Sequence, residues 1–356
     1  MGAFRTSIGA AVQRAWWHIN RRRRQNALRR PRGAMDPIAG IGVSNPRCCA
    51  GARDLHTIGL EPFAADTFRP LSPMQESPEQ AIKRYLQSGE YDTHFRAWPG
   101  DSYLGRVQHG DAALREALRS AIHERTTCAG PPAALVELDV ASLTRRKVFP
   151  MVQGLFPRHE QACVLDMLER SVVFLTPVTI DQVLEQSRWL STAWDLANLF
   201  LAGVKAEILS DDAPYLVGLS EETTCYLSAA YFDASGRFDD FLVHEVAHIF
   251  HNCKRQTIGL RETRQREWLL EIDYVKRETF AYACETYSRI HPLGKGPRAR
   301  QMLLAEYVQG PMPADDRVDV AEYLDILGEA VVARNGWKRI LSRCAPPRQR
   351  QSEMPQ

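Results

Sequence analysis

One short segment of the chain carries residues whose types and spacing suit metal chemistry, the sequence His244-Glu245-Val246-Ala247-His248. Two histidines four positions apart lie on one face of a helix, roughly 5–6 Å apart at Cβ. At that spacing both imidazoles can bind one Zn²⁺ at about 2.0–2.1 Å. Glu245 lies a step around the helix, where it can act as general base toward a metal-activated water. The spacing therefore predicts a zinc site with its own base.

The residues around this motif predict a buried helix. They are mostly apolar: Phe241, Leu242, Val243, Val246, Ala247, Ile249 and Phe250. Two histidines and a glutamate in such surroundings cost free energy unless a partner compensates them, and a metal is such a partner. A solvated helix face with incidental His and Glu is the competing interpretation, and it does not explain the apolar flanks.

A catalytic zinc takes three protein ligands and keeps one open position, so a further ligand is needed. His251 is nearest, but three ligands from one straight helix fit tetrahedral geometry poorly. We expect His251 beside the ligands, in a cleft wall or at the polar surface. Better candidates are the carboxylates of the next predicted helix, namely Glu267, Glu271, Asp273, Glu278 and Glu285.

The sequence resembles the zincin metallopeptidases of the gluzincin type over about residues 205–290. In that group the HExxH helix is followed by a helix whose Glu is the third zinc ligand. The zinc-aminopeptidase branch carries Glu-x-Phe-Ala there, and this chain has Glu278-Thr279-Phe280-Ala281. The resemblance implies that Glu278 is the third ligand, with Glu285 and Glu271 as alternatives. It also implies that the predicted strand Thr224–Phe232 is the sheet edge that pairs with substrate.

The resemblance has limits. The amine-binding, Gly-rich motif of the aminopeptidases is not visible, so aminopeptidase activity is not implied. A group that stabilises the oxyanion is required by peptide hydrolysis. Tyr282, Tyr287 and His291 are candidates, and the sequence does not choose among them.

The elements that must position these residues follow from local patterns. Ser77-Pro78-Glu79-Gln80 starts a capped helix that Gly89 ends. Further helices are predicted over 111–125, 144–155, 159–170, 181–202, 240–253, 266–290, 298–308 and 317–344. Strands are predicted over 172–175, 205–209, 215–219 and 224–232. The predicted class is α+β and zincin-like, a small mixed sheet packed by an HExxH helix and a Glu-bearing helix, with helical additions at both ends.

Charge divides the chain into unlike parts. Residues 1–73 hold 12 Arg, no Lys and 4 acids, whereas the whole chain has a net charge of only +2. We predict that 1–73 is a disordered Arg-rich segment or reflects a mis-assigned start, with Met35 or Met74 as the true one; a transit peptide and a myristoylation site are weaker alternatives. The predicted units beyond it are a helical subdomain over 74–170, a metallopeptidase domain over 171–345 and a frayed tail over 346–356.

Composition excludes several classes. The near-zero net charge does not indicate a nucleic-acid binder. The sequence contains no run of about 18 uncharged apolar residues, which is the length that a membrane-spanning helix needs. The eight cysteines form no CxxC pair, which is typical of reduced thiols in the cytoplasm.

We therefore expect a cytoplasmic zinc-dependent hydrolase that cleaves peptide bonds of a peptide or protein substrate. His244, His248 and Glu278 would bind Zn²⁺, and Glu245 would be the base. One alternative is a regulatory or adaptor protein that uses a zincin fold to bind partners. The other is a structural zinc site, with His251 as the fourth ligand. The sequence does not indicate cleavage specificity or oligomeric state.

Overall fold

The structure is a computed structural model that describes residues 76–126, 135, 137–214, 216–233, 236–264 and 266–347. The predicted segment 1–73 lies outside the described residues, as does most of the predicted tail 346–356. The division of the chain at residue 170 stays a prediction.

The described residues form a mostly helical α+β protein with a small sheet, as predicted. Eleven α-helices are described: α1 Pro78–Ser88, α2 Tyr103–Thr126, α3 Val140–Leu155, α4 Arg158–Glu169, α5 Ile180–Gln186, α6 Leu190–Gly203, α7 Phe241–Asn252, α8 Arg277–Leu293, α9 Pro297–Tyr307, α10 Val320–Val332 and α11 Gly336–Cys344. The strands are β1 Val172–Phe174, β2 Gly218–Glu221 and β3 Thr224–Leu227. None of the described helices combines the length and the apolar character that crossing a bilayer requires.

The sheet is mixed and has the order β1-β3-β2. β1 runs parallel to β3, with Val173 opposite Tyr226, and β2 runs antiparallel to β3. The expectation that the segment Thr224–Phe232 is the edge is therefore wrong: β3 is central and β2 is the edge. β3 is also shorter than predicted, because the Ser228 side chain accepts a hydrogen bond from the Ala230 backbone and starts a 3₁₀ turn.

Both faces of the sheet are covered by helices, because side chains of each strand alternate between two cores. One core contains α3, α4, α7, α8, α10 and α11, and the other contains α2, α5 and α6. Phe174 and Leu227 face the first core, and Leu175 and Tyr226 face the second. The helix with the HExxH motif, α7, thus lies between the sheet and α8.

Two predicted helices are shorter than expected. The predicted helix 181–202 is interrupted at Ser187–Trp189, where Arg115 donates hydrogen bonds to the Leu184 and Ser187 carbonyls and satisfies the broken helix end. Trp189, at this interruption, is 53% exposed, whereas Trp194 within α6 is buried at 3%. The predicted helix 317–344 divides into α10 and α11, and Asn335 caps the second part.

The segment before α8 differs most from its prediction. The helix predicted to begin at residue 266 begins only at Arg277. Residues 266–276 instead run back along the end of α7, where Leu270 N donates to Phe250 O over 2.8 Å and Leu269 N to Cys253 O over 3.0 Å. This path delivers Glu278 in the first turn of α8, beside the HExxH motif. The strand predicted over 205–209 is irregular backbone.

We predict that the chain folds without residues 1–73. α1 begins with a complete capping box, in which Ser77 Oγ accepts from Gln80 N and Gln80 Oε1 accepts from Ser77 N. A truncated protein beginning at Met74 therefore keeps its first helix start intact. Its thermal melting, followed by circular dichroism, should be cooperative with the same midpoint as the full chain. A broad or lost transition contradicts the prediction.

Candidate metal centre

Helix α7 places the two histidines of the motif side by side. Apolar residues occupy the rest of its circumference, and Leu242, Val243 and Val246 are fully buried. Their burial fixes the rotation of the helix, so that His244 and His248 both face α8. The two Nε2 atoms lie 3.2 Å apart.

The first turn of α8 supplies a carboxylate to the same point. Glu278 Oε2 lies 3.8 Å from His244 Nε2 and 3.5 Å from His248 Nε2. Tetrahedral bonds of about 2.0–2.1 Å place two zinc ligands roughly 3.3 Å apart. All three separations are near that value, so the donor set fits a zinc ion. Among the described residues these three form the one cluster with such spacing.

His244 is fixed from behind by Glu285, two turns along α8. Its Nδ1 lies 3.0 Å from Glu285 Oε2, and Glu285 Oε1 accepts a hydrogen bond from the backbone N–H of Asp240 over 2.8 Å. The Asp240 carboxylate in turn accepts from Lys147 Nζ of α3 over 2.6 Å. Three helices therefore hold the His244 ring in one orientation.

His248 is fixed by a second histidine. Its Nδ1 lies 3.1 Å from His251 Nε2, and His251 Nδ1 lies 3.1 Å from Asn252 Oδ1. His251 is buried at 3% exposure. It lies on the far side of the His248 ring from the point where the ligands converge.

Glu278 is fixed by Arg317, in the loop before α10. Arg317 Nη1 forms an ion pair with Glu278 Oε1 at 2.8 Å, and Oε2 is the oxygen that faces the two histidines. The buried Asp315 accepts two further bonds from the Arg317 Nε, at 2.9 and 3.1 Å. Sequence reasoning missed both residues, since nothing in their local pattern connects a loop at residue 317 with a helix at residue 278.

The hydrogen bonds determine which ring nitrogens carry lone pairs. A carboxylate only accepts, so His244 Nδ1 carries the hydrogen and a neutral ring has its lone pair on Nε2. Asn252 Oδ1 accepts from His251 Nδ1, so His251 Nε2 accepts from His248 Nδ1 and His248 Nε2 is also a lone-pair donor. With Glu278 Oε2, three electron-pair donors then lie within 4.8 Å of one another. Such a cluster could hold a metal ion at its centre.

The pKa values of His244 and Glu278 are both shifted in the direction that favours positive charge in the cluster. Burial opposes the charged ring, but the hydrogen bond and the charge of Glu285 raise the pKa of His244 to about 9. Burial likewise opposes ionised Glu278, but the hydrogen bond and charge of His248, with His244 and Arg317 behind it, lower its pKa to about 2. The pocket thus keeps its carboxylate ionised and attracts a cation, for which a metal ion can replace the proton.

Glu245 lies on the sheet side of the two histidines, against the edge strand β2. A Cβ on Gly218 would come within 2.6 Å of Glu245 Cγ, so only glycine leaves room for this side chain. The Ser220 side chain hydrogen-bonds Glu245. Burial raises the pKa of Glu245 above its ordinary value, and the neighbouring His248 and His244 oppose that shift. A raised carboxyl pKa suits a group that takes up and returns a proton near neutral pH.

The remaining candidates lie elsewhere. Three of the carboxylates have local partners: Glu267 pairs with Lys254, Glu271 accepts from the Glu267 and Trp268 backbones, and Asp273 caps the 3₁₀ turn before α8. Tyr282 packs its ring edge-on against His244, with centroids 4.5 Å apart. Tyr287 and His291 pack with Trp337 instead. Of the three oxyanion candidates, the structure places Tyr282 alone beside the cluster.

Comparison of the chain with protein-family models, with curated proteins and with solved structures gives no match.

We predict that Glu285→Gln weakens zinc binding without removing a ligand. The amide keeps the size of the side chain but loses the charge that makes His244 a strong donor. Loss of such a hydrogen-bond partner typically costs 10–100-fold in metal affinity. The measurement is competition for zinc against a chelating dye. Glu271→Gln, a change of the same kind away from the cluster, is the control and should bind zinc like the wild type.

Proposed function

We propose that this protein is a zinc-dependent hydrolase that cleaves peptide bonds. The observation that carries the proposal is the convergence of His244 Nε2, His248 Nε2 and Glu278 Oε2, with the carboxylate of Glu245 beside them. Three ligands suit a site that leaves one position for water or substrate. The resemblance of the HExxH helix and the Glu-bearing helix to gluzincins supports the same conclusion.

In the proposed reaction, different residues of the chain transfer the proton and orient the zinc ligands. A bound zinc would supply an acidified water and polarise the scissile carbonyl. Glu245 takes the proton from the attacking water and returns it to the leaving amine nitrogen. Glu285 and Arg317 hold His244 and Glu278 in orientation, since each contacts the ligand atom that does not face the metal position.

The edge strand β2 supports a peptide as the substrate. Ser228 N donates to Val217 O over 2.9 Å, so the alternation of an antiparallel pair directs the backbone N–H and C=O of Gly218 and Ser220 away from β3. The Ser220 side chain and the Cα of Gly218 lie on the side of the strand that faces Glu245. An extended peptide that adds to this edge would therefore lie next to the base.

The alternatives are less well supported. A structural zinc needs a fourth protein ligand, and the predicted one, His251, bonds the back of the His248 ring instead. An adaptor protein has no need for a half-buried acid packed against a glycine at the sheet edge. We propose the cytoplasm as the compartment, because the cysteines among the described residues, such as Cys225, Cys253 and Cys284, are free thiols.

We predict that Glu245→Gln separates catalysis from metal binding. Glutamine keeps the size of the side chain but cannot accept the proton. Zinc content should stay at the wild-type level, while cleavage falls by roughly 10²–10⁴-fold. The measurements are zinc stoichiometry of the purified protein and mass spectrometry of an unbiased peptide mixture after incubation.

Two further variants complete the experiment. His248→Ala should lose zinc and cleavage together, because it removes a ligand. Glu267→Gln, which changes a partly exposed acid paired with Lys254, should match the wild type in both measurements. Wild-type protein that holds zinc but cleaves no peptide, or Glu245→Gln that cleaves like the wild type, would contradict the proposed hydrolase.

We predict that Gly218→Ala displaces the base without disturbing the metal. The added methyl group would meet Glu245 Cγ at 2.6 Å, so the glutamate must move. A displacement of about 1 Å can cost 10²-fold in rate, and we expect a loss of roughly that size at unchanged zinc content. Gly328→Ala is the matched control, since a Cβ there meets nothing within 4 Å. Equal cleavage by both variants would show that Gly218 does not position Glu245.

A further inference from the structure

His251 is the one histidine of the motif region that the proposed mechanism does not use as a ligand. It is buried at 3% exposure, although burial of an imidazole costs free energy unless both ring nitrogens are bonded. Both are bonded: Nε2 lies 3.1 Å from His248 Nδ1, and Nδ1 lies 3.1 Å from Asn252 Oδ1. The ring stands nearly perpendicular to that of His248, at 85°.

This geometry fits one arrangement of hydrogens when His248 binds a metal. Its metal-facing Nε2 must then be a lone-pair donor, so Nδ1 must carry the hydrogen and donate it. The acceptor is His251 Nε2, and His251 keeps that nitrogen free because its own hydrogen on Nδ1 goes to Asn252. In this arrangement both hydrogen bonds point the same way: His248 Nδ1 donates to His251 Nε2, and His251 Nδ1 donates to Asn252 Oδ1.

We propose that His251 is a positioning residue for the metal site, which holds His248 in the tautomer and ring orientation that ligation requires. The inference rests on the proposed function for the identity of the metal. It makes the two histidine ligands unequal: His244 has a charged partner in Glu285, whereas His248 has a neutral one. It also assigns a role to the third histidine of His244-x-x-x-His248-x-x-His251 that is neither ligand nor surface.

Two substitutions test the role. His251→Leu fills much of the volume but offers no acceptor, and it leaves His248 free to turn or to change tautomer. His251→Gln can place its Oε1 where Nε2 lies and accept the same hydrogen bond. We expect zinc affinity to fall 10–100-fold in the leucine variant and to recover for the most part in the glutamine variant. His291→Leu, at the far end of α8 against Trp337, is the control and should bind like the wild type.

The measurements are zinc competition against a chelating dye and the visible spectrum of the Co²⁺-loaded protein, which reports ligand geometry independently of activity. The leucine variant should change the Co²⁺ spectrum, and the glutamine variant should restore it. A purely structural role would lower the melting temperature of both metal-free variants and leave the affinity of folded protein unchanged. That result, or a leucine variant that binds zinc like the wild type, overturns the inference; if the leucine variant does not fold, weak binding by folded His251→Gln overturns it.

The same experiment separates this inference from the proposed function. Wild-type protein that binds no zinc contradicts the proposed metal site, and the role of His251 is then lost with it. Zinc binding without peptide cleavage contradicts the hydrolase alone, and the affinity comparison of the His251 variants stands.

Discussion

The packing of α7 against α8 buries three electron-pair donors side by side, and the surrounding structure serves to make that arrangement stable. Two imidazoles and a carboxylate in an apolar interface repel one another unless a cation lies between them. The pKa of His244 is raised and that of Glu278 is lowered, and both shifts show that the pocket favours positive charge on the ring and negative charge on the carboxylate. The buried apolar face of α7, the path before α8 and the loop before α10 together bring the donors and their partners to this point.

Each ligand is held by a partner from a different place in the fold. Glu285 comes from α8, His251 from α7 itself, and Arg317 from the loop before α10. Glu285 also bonds the backbone at Asp240, which ties the start of α7 to α8 and, through Lys147, to α3. Because the supports are separate, the position of each donor atom is set by tertiary packing rather than by one flexible segment, which is the condition for a preorganised site.

The sequence predicted the parts of the site that depend on local periodicity, and it missed those that depend on the path of the chain. His244, Glu245 and His248 follow from helical spacing, and the apolar flanks determine which face is buried. Glu278 could be singled out among the carboxylates only through the resemblance to gluzincins. The segment 266–276 looks helical in the sequence, but backbone bonds to Phe250 and Cys253 hold it along α7. The edge strand was misassigned for a similar reason: strand order is a long-range property that alternation within one strand does not contain. Arg317 has no local signal at all.

The position of Glu245 distinguishes a reactive site from a purely structural one. The proposed metal binding would need His244, His248, Glu278 and their partners, and any side chain at position 245 would serve it equally. Yet Gly218 at the sheet edge leaves room for this carboxylate, Ser220 hydrogen-bonds it, and burial raises its pKa. The same two strand residues direct their backbone groups away from β3. A proton acceptor and a strand edge whose backbone groups point away from β3 therefore meet beside the ligand cluster. This coincidence has a physical explanation if the strand receives a peptide whose bond the site hydrolyses.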